Sequence, residues 1–149
     1  MMKREEGILK ASKEVEVRFC EVDSMGIVWH GSYVKYFEDA REEFGRNYDL
    51  GYLKIFGEGF YAPLVKLDFN YKKPLVYGNK MVVEIEYIPT EAAKICFEYR
   101  IYSGEGEKRE LMATGNSMQV FLDKDYQLVW ANPSFYEEWK ERWKVLQRK

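Results

Sequence analysis

His30 is the only histidine in the 149-residue chain, and it follows Asp23 by seven positions in EVDSMGIVWHGSYVKYFEDAR, with Gly26 between them and Gly31 next to it. A carboxylate is ionised at neutral pH, so Asp23 can attack an electrophilic carbon or take a proton from water. The same residue type also suits a turn that ends a strand, because an Asp side chain bonds its own backbone. The imidazole can orient that carboxylate, donate a proton or pack as a structural group. Beyond Gly31 the pattern reads as a helix, and the unpaired amides at a helix start present donors and partial positive charge to whatever lies ahead of them. Gly31 either lets a ligand approach that backbone closely or is a loop residue before the helix.

Other chemistries find less support in the residues. Cys20 with His30 would suggest a thiol nucleophile, but Cys20 is expected to pack as a small hydrophobe at the end of an apolar strand. Cys20 and Cys96 are too few for a disulfide framework, no CxxC occurs, and one histidine with scattered carboxylates gives no metal site. The formal net charge of −2, with basic residues spread along the chain, argues against nucleic acid as a partner. MMKREEGILKAS lacks the apolar core of a signal peptide and no run is long enough to span a membrane, so a reducing cytoplasm is expected. Aromatic residues reach 17%, enough both to fill a core and to line an apolar pocket.

The elements that must position these groups follow from periodicity. EVEVRFC, Glu14 to Cys20, alternates as a half-buried strand with Val15, Val17 and Phe19 on one face. Tyr33, Phe37, Ala40, Phe44 and Tyr48 then form one stripe of a helix, with Ser32 as its expected N-cap. DLGYLKIFGEG holds a short turn of helix. Three period-two runs follow, LVKLDFNYKK, MVVEIEYI and KICFEYRIY, joined by short turns that include Gly78-Asn79. ELMATGNSMQVFLD closes the strands, and Gly115 in its middle predicts a bulge or a close backbone approach. Asn132 as cap and Pro133 at the first position open a terminal helix over about residues 132–147, with a stripe of Phe135, Trp139, Trp143 and Leu146. The length fits one domain, residues 1–149, of the α+β class, in which the apolar face of an antiparallel sheet covers the long helix.

VRFCEVDSMGIVWHGSYVKYFEDAREEF resembles the signature of the hotdog-fold acyl-CoA thioesterases, in particular the 4-hydroxybenzoyl-CoA thioesterase-like group. Asp23, Gly26, Val28, His30, Tyr33, Glu38, Ala40 and Arg41 fall on that signature, and the order of elements agrees over about residues 13–125. The resemblance implies a sheet wrapped around the helix, subunits paired as a homodimer or homotetramer, and active sites at the dimer interface. It also implies hydrolysis of an acyl-CoA thioester, with Asp23 as nucleophile or general base and the backbone amides of His30 and Gly31 polarising the carbonyl. Tyr33 would wall the pocket, and Lys72 and Lys73 would meet the phosphates of coenzyme A. Glu38 and Arg41, three apart on the helix, are expected to pair with each other. Coenzyme A is then part of the substrate and no other cofactor is expected. Hydratases of this fold place histidine five positions after the aspartate, so the spacing here favours hydrolysis. An acyl group on acyl carrier protein, or acyl binding without turnover, are the alternatives.

Overall fold

The computed structural model describes residues 8–145. Its strands are β1 (Lys10–Glu16), β2 (Leu64–Tyr71), β3 (Lys80–Ile88), β4 (Lys94–Ser103) and β5 (Glu110–Val120). Its helices are α1 (Tyr33–Tyr48), α2 (Tyr52–Gly57) and α3 (Ser134–Arg142). The strands form one antiparallel sheet in the order β1-β3-β4-β5-β2. Val83, Ile85 and Tyr87 of β3 and Ile95, Phe97, Tyr99 and Ile101 of β4 bury one face of this sheet. Tyr33, Phe37, Ala40 and Phe44 of α1 are buried with them, so the sheet wraps the long helix as the hotdog resemblance implies.

A close approach of helix and sheet explains Gly115. A Cβ there would lie 2.9 Å from the Asp68 carbonyl oxygen and 2.9 Å from Cζ of Phe37. Phe37 in turn lies 5.1 Å from the Phe69 ring and 4.5 Å from the Tyr99 ring. Gly115 therefore marks a close backbone approach, while the register shift of β5 falls elsewhere, opposite Ile101 and Tyr102. α1 ends at Asp49, whose left-handed backbone (φ 54°) lets its amide bond the Gly45 carbonyl.

Several local expectations are corrected. β1 begins and ends earlier than the alternation predicted, because its register is set by β3, from Lys10 opposite Glu86 to Glu16 opposite Lys80. After Val17 the chain curls into a 3-10 turn at Phe19–Glu21. Phe19 and Cys20 are consequently exposed, so Cys20 does not pack in the core. Ser32 caps nothing with its side chain; its hydroxyl donates to the Glu21 carbonyl at 3.2 Å. Glu38 and Arg41 form no ion pair, because the Arg41 guanidinium turns toward the sheet and donates to the Tyr99 hydroxyl at 3.0 Å. In the terminal helix, Pro133 precedes the first helical residue, and Asn132 donates to the Glu91 carbonyl instead of capping. Phe135 and Trp139 are buried and Trp143 is half-buried, while Leu146 lies outside the described residues. Among the described residues no helix is long and apolar enough to cross a membrane.

Candidate active site

Asp23 sits in a tight reversal between bridges that join Val22 to Val28 and Ile27 to Val76. The Asp23 amide donates to the Ile27 carbonyl at 2.8 Å, and the Gly26 amide donates back to the Asp23 carbonyl at 3.0 Å. Gly26 has φ +76°, a conformation that favours glycine. One carboxylate oxygen of Asp23, Oδ1, accepts from the amides of Met25 at 2.8 Å and Ile27 at 3.3 Å. The turn role foreseen for this residue is thus real, and it occupies one oxygen. Oδ2 accepts no hydrogen bond from the described residues, and the side chain is exposed.

The chain then enters α1 through a short 3-10 turn at His30–Ser32. The Trp29 amide donates to the Glu21 carbonyl at 2.8 Å and the Ser32 amide to the Trp29 carbonyl at 2.9 Å. Between them, the amides of His30 and Gly31 donate to no acceptor among the described residues. This is the donor deficit that every helix start carries. The His30 ring lies 4.8 Å from the Trp29 ring, and its carbonyl accepts from the Tyr71 hydroxyl at 3.4 Å.

The lack of a side chain at Gly31 has a consequence the residue types did not reveal. A Cβ at this position would fall 1.9 Å from Cζ3 of Trp29, so the indole occupies the space that the absence of a side chain leaves.

Asp23, His30, Tyr33, Lys72 and Lys73 border one depression of about 340 Å³, together with Ile27, Val28, Trp29, Tyr71 and Pro74. Gly31 stands behind Trp29 and is outside that lining. Tyr33 is buried, its ring edge-on to Tyr71 at 4.8 Å, and burial pushes its phenol above the ordinary range. The two lysines differ: the Lys73 ammonium pairs with the Glu110 carboxylate, whereas Lys72 has no carboxylate partner among the described residues. A larger depression of about 730 Å³ lies where β1 meets the ends of β3 and β4, and none of the five residues reaches it.

One residue of the site was not anticipated. Glu21 is 1% exposed, the least exposed acidic side chain among the described residues. Its Oε1 accepts from the Arg18 amide at 2.8 Å and the Tyr36 hydroxyl at 3.1 Å, and its Oε2 from the Arg18 guanidinium at 3.1 Å. Burial raises the pKa of this carboxyl, but the hydrogen bonds from Arg18 and Tyr36 outweigh burial and hold it below the ordinary glutamate value. Only its place two positions before Asp23 could have drawn attention to it in the sequence.

Residues 17–141 match the thioesterase-like superfamily. The chain belongs to this superfamily. Among its thioesterase-like relatives, the provisionally named acyl-CoA thioesterase YneP of Bacillus subtilis is 33% identical over 115 residues, covering 77% of this chain and 81% of that protein. The acyl-acyl carrier protein thioesterase ATL3 of Arabidopsis thaliana is 29% identical over 116 residues, covering 78% of this chain and 60% of that one. The crystal structure of DHNA-CoA thioesterase from Staphylococcus aureus superposes with a TM-score of 0.80 at 26% identity, covering 92% of each chain. The thioesterase-like match begins at Val17 and so takes in Glu21, the Asp23 reversal and the start of α1 together.

Proposed function

We propose that the enzyme hydrolyses the thioester bond of an acyl-CoA, releasing the free acid and coenzyme A. The observation that carries this reading is that an Asp23 carboxylate and the donor-deficient start of α1 stand at one depression. A thioester carbonyl oxygen accepts from the His30 and Gly31 amides, which stabilise the negative charge that develops there. Asp23 Oδ2 then either takes a proton from the attacking water or attacks the carbonyl carbon itself, giving an anhydride that water opens. In both routes the carbon–sulfur bond breaks and the thiolate leaves with a proton. The His30 ring stands ready to aid that proton transfer, Tyr33 walls the pocket, and Lys72 meets the coenzyme A phosphates. Lys73, paired with Glu110, contributes less. No cofactor beyond the substrate's own coenzyme A takes part.

A homodimer fits the sheet, and pairs of dimers would make the tetramer. β2 is an edge strand whose Leu64, Val65 and Tyr71 are exposed, and an unpaired apolar edge invites a second copy. The cytoplasm suits the free thiols of Cys20 and Cys96. Likeness to ATL3 favours a second reading, hydrolysis of an acyl group on acyl carrier protein, with Lys72 facing an acidic partner.

Release of free thiol from short, long and aromatic acyl-CoAs, and from the matching acyl carrier protein substrates, tests both readings. Turnover of an acyl-CoA supports the first, and turnover of carrier-protein substrates alone supports the second. Saturable binding without turnover overturns both in favour of a binding module.

A further inference from the structure

We infer that Glu21 is a positioning residue for this site, the buried anchor that sets the gap between the Asp23 carboxylate and the His30 and Gly31 amides. The inference rests on the hydrolytic reading above and extends it to a residue that touches no reacting atom. Three segments converge on Glu21. Its carboxylate takes hydrogen bonds from Arg18, at the exit of β1, and from Tyr36, at the close of the first turn of α1. Its main-chain carbonyl takes the Trp29 amide at 2.8 Å and the Ser32 hydroxyl at 3.2 Å, the residues on either side of the two unbonded amides. Asp23 follows two positions later along the same backbone, so the reversal that carries the acid and the helix start that carries the donors are tied to one residue.

The cost of the arrangement argues that it is built for geometry. A carboxylate taken out of water is expensive, and an apolar side chain could hold a helix against a strand more cheaply. A carboxylate does what an apolar group cannot: it accepts from several directions at fixed length and so fixes direction as well as contact. Tyr36 is itself fully buried, and its hydroxyl reaches Glu21 from within the core. The position of Asp23 relative to α1 is therefore referred to the core of the fold, although Asp23 and His30 are both exposed. Rates of oriented reactions fall steeply with small displacements of the reacting groups, and this is the quantity that Glu21 controls.

The test compares Glu21→Gln, Tyr36→Phe, Asp23→Asn and the Glu21→Gln/Asp23→Asn double variant, using the acyl-CoA turned over best by the native enzyme. Glu21→Gln keeps the shape and loses the charge; Tyr36→Phe removes one bond to Oε1 and leaves the others, and serves if Glu21→Gln does not fold. The expected result, below the melting transition, is kcat lowered about 10-fold by Glu21→Gln and about 3-fold by Tyr36→Phe, with KM within about 2-fold. In the double variant the two losses do not multiply, because Glu21 acts through the placement of Asp23. Amide hydrogen exchange over residues 22–32, measured on the same proteins, is faster in both single variants. Unchanged exchange, a kcat equal to native in the folded variants, or losses that multiply in the double variant would each overturn the inference. If the native enzyme turns over no thioester while exchange still responds to both variants, the hydrolytic reading falls and the anchoring role of Glu21 stands.

Discussion

Asp23 divides its carboxylate between two tasks, with Oδ1 closing the turn through Met25 and Ile27 and Oδ2 left for chemistry. Asp23→Asn retains an oxygen for the turn amides and removes the charge. Thiol release is expected to fall on the order of 10²-fold or more, with a melting temperature close to native. Gly31→Ala puts a methyl group into the Trp29 indole, 1.9 Å from Cζ3. Turnover is expected to drop, and the Trp29→Ala/Gly31→Ala pair to recover part of it because the obstructing ring is gone; kcat for both variants checks this. Glu21 gives the pH dependence its sign. Its folded pKa lies below the ordinary value of 4.5, so the folded chain binds fewer protons than the unfolded one between those values. The stability it contributes is present above the ordinary value and is lost as pH falls through the folded one. Urea titrations of native protein and Glu21→Gln over about pH 3–7 are expected to show a shallower acid loss in the variant.

At the scale of elements, α3 closes the end of the core opposite the site. Trp139 is 1% exposed and its Nε1 donates to the Tyr48 carbonyl at 2.6 Å, satisfying an orphan acceptor at the end of α1. Its ring lies 5.1 Å from Tyr87 and 5.8 Å from Tyr136, and the hydroxyls of those tyrosines meet at 2.5 Å. Trp139→Ala is expected to cost about 3–5 kcal/mol by urea denaturation, the range for emptying an aromatic core position. α1 spans Tyr33–Tyr48, so about 24 Å of helix separates this lesion from the His30 and Gly31 amides. The kcat of folded Trp139→Ala should therefore remain near native, in contrast to a lesion at Glu21.

For the whole molecule the feature that governs assembly is the β2 edge. The sheet ends at β1 on one side and at β2 on the other, and β2 exposes Leu64, Val65 and Tyr71. Pairing of two β2 edges would extend the antiparallel sheet through a dimer. Light scattering on the native protein is expected to give at least twice the 17.8 kDa chain mass. Val65→Glu is expected to shift it toward the monomer, since like charges brought together across an interface repel.

The sequence by itself determined the order of elements, the buried stripe of α1, the inward faces of β3 and β4, and the spacing that delivers Asp23, His30 and Tyr33 to one depression. These are short-range properties, carried by period and by neighbours along the chain. Tertiary structure alone decided the rest. Alternation marks faces without marking ends, so β1 stopped at Glu16 where β3 stopped pairing with it. Lys72 and Lys73 are the same residue type side by side, and only the approach of Glu110 from β5 separates them. Only the fold shows that the Trp29 indole lies over Gly31, where a side chain would otherwise stand. Glu21 would be solvated in most settings; it is buried here because Arg18 and Tyr36 converge on it from different elements. A charge goes inside a protein only where partners meet it, and that meeting is made by the fold.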